Sequence, residues 1–320
     1  MVYLTYKTIN GKKYTYLVKS IRLPDGTVRK ISKIIKINKP LPYLKSRYKK
    51  FFSDAEKKFH INYVLEKFKM DYIFSKEEIK KIEAIKVDYK HLIQKLNKDQ
   101  LKDVFDRFVV NFTYETNSIE GNSLTLKDVN IVIFENSIPK GKDLREIYET
   151  RNSRIVLDKI LNRKFDVSHK SIIKIHKILM RDIDVRTGYK KIPNFIIGSR
   201  VKTTPPEKVE EKMSKLIDWY YSNLGKVHPL ELAAIFHGRF EKIHPFEDGN
   251  GRVGRIFTNV ILTNNDYPPI IIRKTIRTNY MASLSSFDFG HEDKLKRLLL
   301  EKYKETYRKF FEVYVKYADT

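Results

Sequence analysis

Along this chain the hydrophobic positions change period. From Tyr3 to about Ile37 apolar and polar residues alternate in three short runs, broken at Asn10-Gly11 and at Pro24-Asp25-Gly26-Thr27. Asn-Gly is the preferred two-residue hairpin turn and Pro-Asp-Gly is a second turn signal, so the stretch predicts a three-stranded meander. Lys39-Pro40-Leu41-Pro42 ends it. After Asp54 apolar residues recur three and four apart, the spacing of one helix face. This pattern predicts helices over 54–69, 76–96, 99–118, 125–136, 142–162, 168–183, 207–223, 229–242, 250–264 and 292–316. Between Tyr189 and Thr204 the period lapses, and Phe195-Ile196-Ile197-Gly198 before Pro205-Pro206 reads as a small hairpin or extended flap. The expected class is mainly α, preceded by a small β-meander.

Composition narrows the chemistry. With 320 residues, 41% of them hydrophobic, the chain can bury a core large enough to offset the entropy of ordering. It has no cysteine, which excludes disulfides, thiolate metal sites and a cysteine nucleophile. The start, Met-Val-Tyr-Leu-Thr-Tyr-Lys, lacks the pattern of a signal peptide, and no apolar run is long enough to span a bilayer. The expected place is the cytoplasm, with no membrane partner. A net charge of +25 would suit an anionic polymer, but lysines alternate with isoleucine and glutamate, as in Lys76 to Glu83, in the manner of solvated helix faces. Nucleic acid is therefore not expected as the main partner.

Residues 241–257 pose a specific arrangement: Glu-Lys-Ile-His-Pro-Phe-Glu-Asp-Gly-Asn-Gly-Arg-Val-Gly-Arg-Ile-Phe. Pro245 stops a helix near His244, and Gly249-Asn250-Gly251 can take a partly left-handed turn that points successive N–H groups into one concavity. Val253, Ile256, Phe257 and Val260 stand at helical spacing, so a helix begins here and its positive end faces the same concavity. Arg252 and Arg255, three apart, add donors that match phosphate oxygens. Asp248 beside them is an oxygen ligand of the kind Mg2+ uses alongside substrate phosphates. His244 at the rim is the side chain whose ordinary pKa suits proton abstraction near neutral pH.

The run from His244 to Arg255 resembles the signature of the Fic family: His-Pro-Phe, any residue, Asp or Glu, Gly-Asn-Gly-Arg, two residues, Arg. Similarity extends to Leu230–Phe240, to Gly188-Tyr189 through Gly198, to Pro205-Pro206 and to Arg277–Leu284. What the resemblance implies is an all-helical core with a small β-hairpin flap, and a protein adenylyltransferase that moves AMP from Mg-ATP to a Ser, Thr or Tyr hydroxyl of a target protein. His244 would be the base, and Asp248 would hold Mg2+ between the α- and β-phosphates. Gly249, Asn250, Gly251, Arg252 and Arg255 would hold the phosphates, with Phe246 anchoring the loop in the core. Tyr280 matches a nucleoside-contacting tyrosine, and Asp288 stands where relatives often have asparagine. Ile196 and Ile197 would align the target by strand addition. Self-modification and a homodimer are both compatible with this reading. The implied division is 1–50 for the meander, 51–136 for a helical region holding a regulatory helix, and 137–320 for the catalytic core.

Upstream, Gly121 stands where the helix over 99–118 needs a left-handed cap. Thr116-Asn-Ser-Ile-Glu120-Gly121-Asn122 also resembles the family's inhibitory motif, Ser or Thr, three residues, Glu, then Gly or Asn. By that resemblance Glu120 would pair with Arg255 and withdraw a donor from the γ-phosphate, giving an autoinhibited enzyme; in relatives the same glutamate can support removal of AMP. His169, His176, His228, His237 and His291 form no metal pattern and read as structural, with His237 packing near the site. Two rival readings stay open: the same cradle transferring another nucleotide or a phosphate, and a basic nucleic-acid-binding or scaffold protein with a vestigial site.

Overall fold

A computed structural model describes residues 2–194 and 202–318. It divides into two compact units, Met1–Val87 and Asp88–Thr320.

The first unit holds the meander. Strands β1 (Val2–Ile9), β2 (Lys12–Arg22) and β3 (Val28–Ile35) form an antiparallel sheet in the order β1-β2-β3. Asn10 and Gly11 both have positive φ, at 48° and 72°, the backbone that lets a two-residue turn follow the twist of the strands. The second turn closes through Thr27 N–H to Asp25 Oδ1 at 2.9 Å, with Gly26 at φ 85°. Register places Leu17 opposite Leu4 and Lys33, so one face carries Leu17, Ile21, Ile31 and Ile35. That face packs on Leu44 of helix α1 (Leu41–Arg47) and Phe52 of α2 (Lys49–Lys67). The division between the units falls along α3 (Lys76–Lys95).

The second unit continues helical: α4 (Lys98–Ile119), α5 (Leu126–Asn130), α6 (Leu144–Leu161), α7 (His169–Leu179), α8 (Pro206–Asn223), α9 (Pro229–Ile243), α10 (Asn250–Asn264), α11 (Arg277–Asp288), α12 (Asp293–Thr306) and α13 (Glu312–Ala318). Helices α9 and α10 are buried around almost their whole circumference, as befits the centre of a bundle. Side chains cap the starts of α4, α5, α6, α7 and α9, through Asn97, Thr125, Asp143, Ser168 and His228. Helix α10 has no side-chain cap; its N-cap is Gly249 at φ 78°.

The mainly α class with its small sheet is as expected, and the differences are local. The run 125–136 splits into α5 and a π-helical turn, Ile131–Glu135, ended by Asn136 at φ 50°. The C-terminal run is broken by another π turn, Tyr307–Phe311. The helix expected over 168–183 ends at Leu179. Two helices, α1 and α11, had no sequence signal. Among the residues of α11 only Tyr280, Ser283 and Phe287 are buried, too sparse and too polar a stripe for periodicity to reveal. The flap residues Ile196 and Ile197 lie outside the described residues.

Candidate active site

Helix α9 ends at His244, whose backbone takes the left-handed conformation, φ 52° and ψ 62°, with its N–H on the Phe240 carbonyl at 3.0 Å. A non-glycine residue there is uncommon and turns the chain sharply into the loop. Phe246 anchors that loop: it is fully buried and stacks on His176 at 3.8 Å and 5°. Asn250 locks it, accepting the Phe246 N–H and donating to the Phe246 carbonyl, each at 2.8 Å. Both polar atoms of the Asn250 side chain are thus engaged within the loop, and it is the backbone of residues 250–252 that opens the helix. The first N–H groups of any helix lack an intrahelical partner, so with no capping side chain those of α10 are left for an acceptor from outside the helix.

Two buried arginines border this end. Arg252 faces Glu149 Oε1 through Nη1 at 3.3 Å and Asp248 Oδ1 through Nη2 at 3.7 Å; the Nη1 contact is an ion pair outside hydrogen-bond geometry, and Nε has no acceptor. Arg255 donates from Nε to Thr116 Oγ1 at 2.8 Å, and from Nη2 to the Thr116 carbonyl at 3.0 Å and to Glu120 Oε1 at 2.6 Å. Its Nη1 is left without an acceptor. Buried N–H groups without an acceptor are costly, and their clustering around a helix start is an arrangement that suits an anion. Asp248, more exposed, pairs with Arg145 at 2.6 Å and accepts the Gly249 N–H at 2.6 Å.

Glu120 reaches Arg255 from the end of α4, which closes in a Schellman turn. The Gly121 N–H binds the Ser118 carbonyl at 3.2 Å and the Asn122 N–H binds that of Asn117 at 3.1 Å, with Gly121 at φ 103°. Asn122 continues the connection, donating to Glu149 Oε2 at 2.9 Å, the carboxylate that also neighbours Arg252. The Glu120 carboxylate lies over Gly251: a Cβ there would collide with its Oε1 and stand 2.9 Å from Arg255 Nη1.

Burial, then the positive charge of Lys190, pushes the pKa of His244 down to about 4, so the imidazole is neutral at pH 7. Lys190, itself lowered to about 8 by burial, donates its backbone N–H to the Pro245 carbonyl at 2.9 Å. Tyr280 is buried, with its hydroxyl 2.8 Å from His237 Nε2 and its ring 5.9 Å from the Arg255 guanidinium. Asp288 stands at the end of α11, where Lys242 donates to its backbone carbonyl at 2.8 Å, and burial raises the pKa of its carboxyl.

The structure therefore gathers His244, Asp248, Gly249, Asn250, Gly251, Arg252, Arg255, Thr116, Glu120, Asn122 and Tyr280 in one place. Four neighbours had no sequence signal: Arg145, Glu149, Lys190 and Glu241. The carboxyl of Glu241 is buried against Gly254 and pushed up to about 8 by that burial, so it is largely protonated at neutral pH. Glu241 and His244 are three apart on the chain, as Glu149 and Arg145 are four apart, and only the fold says which such pairs face the site. His176 and His237 are both drawn in, and burial pushes them down to about 4 and about 3.

The site thus joins an uncapped helix start, two buried arginines that keep N–H groups without a hydrogen-bond acceptor, and a neutral histidine. Residues 166–262 match the Fic/DOC family. It is 30% identical over 186 residues to protein adenylyltransferase fic-1 of Caenorhabditis elegans, covering 56% of this chain and 36% of that protein. It is likewise 30% identical over 183 residues to protein adenylyltransferase Fic of Nematostella vectensis, covering 55% and 43%. The chain thus matches less than half the length of these curated relatives. A crystal structure of a Fic domain containing signaling protein from Bacteroides thetaiotaomicron superposes with a TM-score of 0.62 at 26% identity, over 74% of this chain and 95% of the other.

Proposed function

We propose that this chain transfers AMP from Mg-ATP to a serine, threonine or tyrosine hydroxyl of a target protein, and that Glu120 restrains the reaction from within. The observation that carries this reading is the set of buried, acceptor-less N–H groups on Arg252 and Arg255 at the uncapped start of α10, beside a neutral imidazole. The adenylyltransferase names of the relatives supply the nucleotide.

The triphosphate lies across the N–H groups of residues 250–252, with Arg252 and Arg255 supplying charge-assisted hydrogen bonds. The target hydroxyl oxygen attacks the α-phosphorus, its P–O bond forms as the bond to the β-phosphate breaks, pyrophosphate leaves, and the hydroxyl proton passes to His244. Negative charge beside an imidazole raises its pKa, so the bound triphosphate makes His244 a better base than it is alone. Among the described residues no cluster of three or more histidine and acidic side chains could hold a metal by itself. Asp248, with its carboxylate 41% exposed, fits Mg2+, which takes one or two carboxylates and completes its shell with phosphate oxygens and water. When bound, the ion offsets charge on the phosphates.

Glu120 holds Arg255 Nη2 and covers Gly251, so in this conformation it occupies the space and the donor that the far end of the triphosphate needs. The test uses wild type, Glu120→Gly and Glu120→Gly/His244→Ala with Mg2+ and ATP labelled on the α-phosphate, following label on the chain itself and on lysate proteins. Labelling that is strong only in Glu120→Gly supports the reading. Labelling by a different nucleotide alone replaces AMP with that nucleotide, and no labelling under any condition returns the site to a vestigial one.

A further inference from the structure

We propose that the amino-terminal unit binds single-stranded nucleic acid along the β3 edge of its sheet. The charge excess is far from even: residues 1–53 hold 14 lysines and arginines and a single acid, Asp25. No function so far assigned uses this unit. Beside β3 lies a groove of about 690 Å3, lined by Lys33, Ile34, Lys36, Tyr48 and Phe51 among others and by no acidic residue. The Lys33 ammonium stands 5.0 Å from the Phe51 ring centre, so positive charge borders an aromatic surface. Lys30, Lys33 and Lys36 are all exposed: Lys33 leaves the edge on the side of Ile31 and Ile35, Lys30 on the opposite side, and Lys36 directly follows the end of β3. On the outer face of the sheet, Tyr14 and Tyr16 are partly exposed, and Lys7 lies 5.6 Å from the Tyr16 ring.

Aromatic rings flanked by lysines suit a polymer that alternates flat bases with phosphates. Unpaired bases stack on the rings while the ammonium groups hold the backbone. A duplex hides its base faces and would leave the apolar floor without contact, and an acidic peptide has the charge but no repeating flat surface. The proposal is independent of the adenylyl-transfer reading and is tested without ATP.

The experiment is fluorescence anisotropy with the whole chain and a labelled oligothymidine of about 16 nucleotides, repeated across salt concentrations. Binding at 0.15 M salt is expected in the micromolar range or tighter, with weaker binding of a duplex of the same length. In the triple variant Lys30→Gln/Lys33→Gln/Lys36→Gln the slope of log affinity against log salt becomes shallower by about 2, at roughly 0.7 per lost phosphate contact. Phe51→Leu keeps an apolar side chain in the core but loses the π face; it weakens binding roughly fivefold or more with the slope unchanged. A control triple, Lys164→Gln/Lys170→Gln/Lys174→Gln, removes equal charge from exposed positions elsewhere and leaves binding near wild type. The proposal is overturned if the control weakens binding as much as the β3 triple, if the duplex binds as tightly as the single strand, or if polyglutamate of equal charge competes as well as the oligonucleotide.

Discussion

Replacing Glu120 by glycine should move stability and nucleotide affinity in opposite directions, which makes it the most informative change in this chain. The Glu120 carboxylate is 2.6 Å from the Arg255 Nη2 and 35% exposed, whereas Arg255 is 2% exposed. Breaking a fully buried ion pair costs roughly 3–5 kcal/mol. Here the exposed carboxylate is partly screened, and Arg255 keeps the Thr116 hydroxyl and carbonyl at 2.8 and 3.0 Å, so the loss reduces to about 1–2 kcal/mol. For a unit of this size that is a fall of about 2–8 °C in Tm. The freed Nη2 becomes a donor for the triphosphate, and a charge-assisted hydrogen bond of about 1.5–3 kcal/mol corresponds to roughly 10- to 100-fold tighter binding. Thermal denaturation without nucleotide, and calorimetric titration with a non-hydrolysable ATP analogue and Mg2+, measure the two effects on the same samples. Glu120→Gln, which removes charge but keeps volume, should fall between. If Glu120→Gly loses stability while its affinity stays within twofold of wild type, the carboxylate is only a structural partner of Arg255 and the argument for a brake fails.

Gly251→Ala should be destabilising in wild type, because its methyl group meets the Glu120 carboxylate and lies 2.9 Å from Arg255 Nη1, and less so when Glu120 is already glycine, since only the contact with Arg255 then remains. A double-mutant cycle by denaturation checks this; additive effects would mean that the two positions do not compete for one space. At ATP concentrations well below saturation, where the free enzyme sets the profile, the labelling rate of Glu120→Gly should stay level as pH falls from 8 through 6.5, because burial holds His244 at about 4 and it remains neutral; a midpoint at 6.5 in that profile would contradict this. Stability has its own acid limit: His176, His237 and His244 all have folded pKa values below the unfolded one, so the unfolded chain binds more protons and stability is lost as pH falls from about 6.5 towards 4. Denaturation midpoints across that range should drop, and a flat profile would refute the burial of these rings. Arg145→Ala should lower the Mg2+ concentration needed for half-maximal labelling several-fold, since its guanidinium occupies Asp248 at 2.6 Å; an unchanged Mg2+ requirement would separate Asp248 from the metal.

Much of this molecule was legible in its order of residues. Asn10-Gly11 and Pro24-Asp25-Gly26 placed the strands because turn geometry is a local property of a few dihedral angles. The periods of α4, α8, α9 and α10 placed their helices to within a residue or two, because a buried helix face must repeat every 3.6 residues. The run 244–255 pointed to its chemistry because loop, helix start and both arginines are contiguous in the chain. What needed the tertiary structure is everything that depends on distant segments meeting. Glu120 reaches Arg255 across 135 positions, a pairing the sequence offered only through its resemblance to a family motif, and Arg145 reaches Asp248 across 103 with no such signal. The left-handed backbone of His244, the pKa of Glu241 at about 8, and the existence of α11 come from packing, which overrides the local preference of residues that look polar or ordinary in sequence. Local geometry is written in neighbours, whereas burial, and with it the charge state and reach of each group, is set only when the helices close around the start of α10.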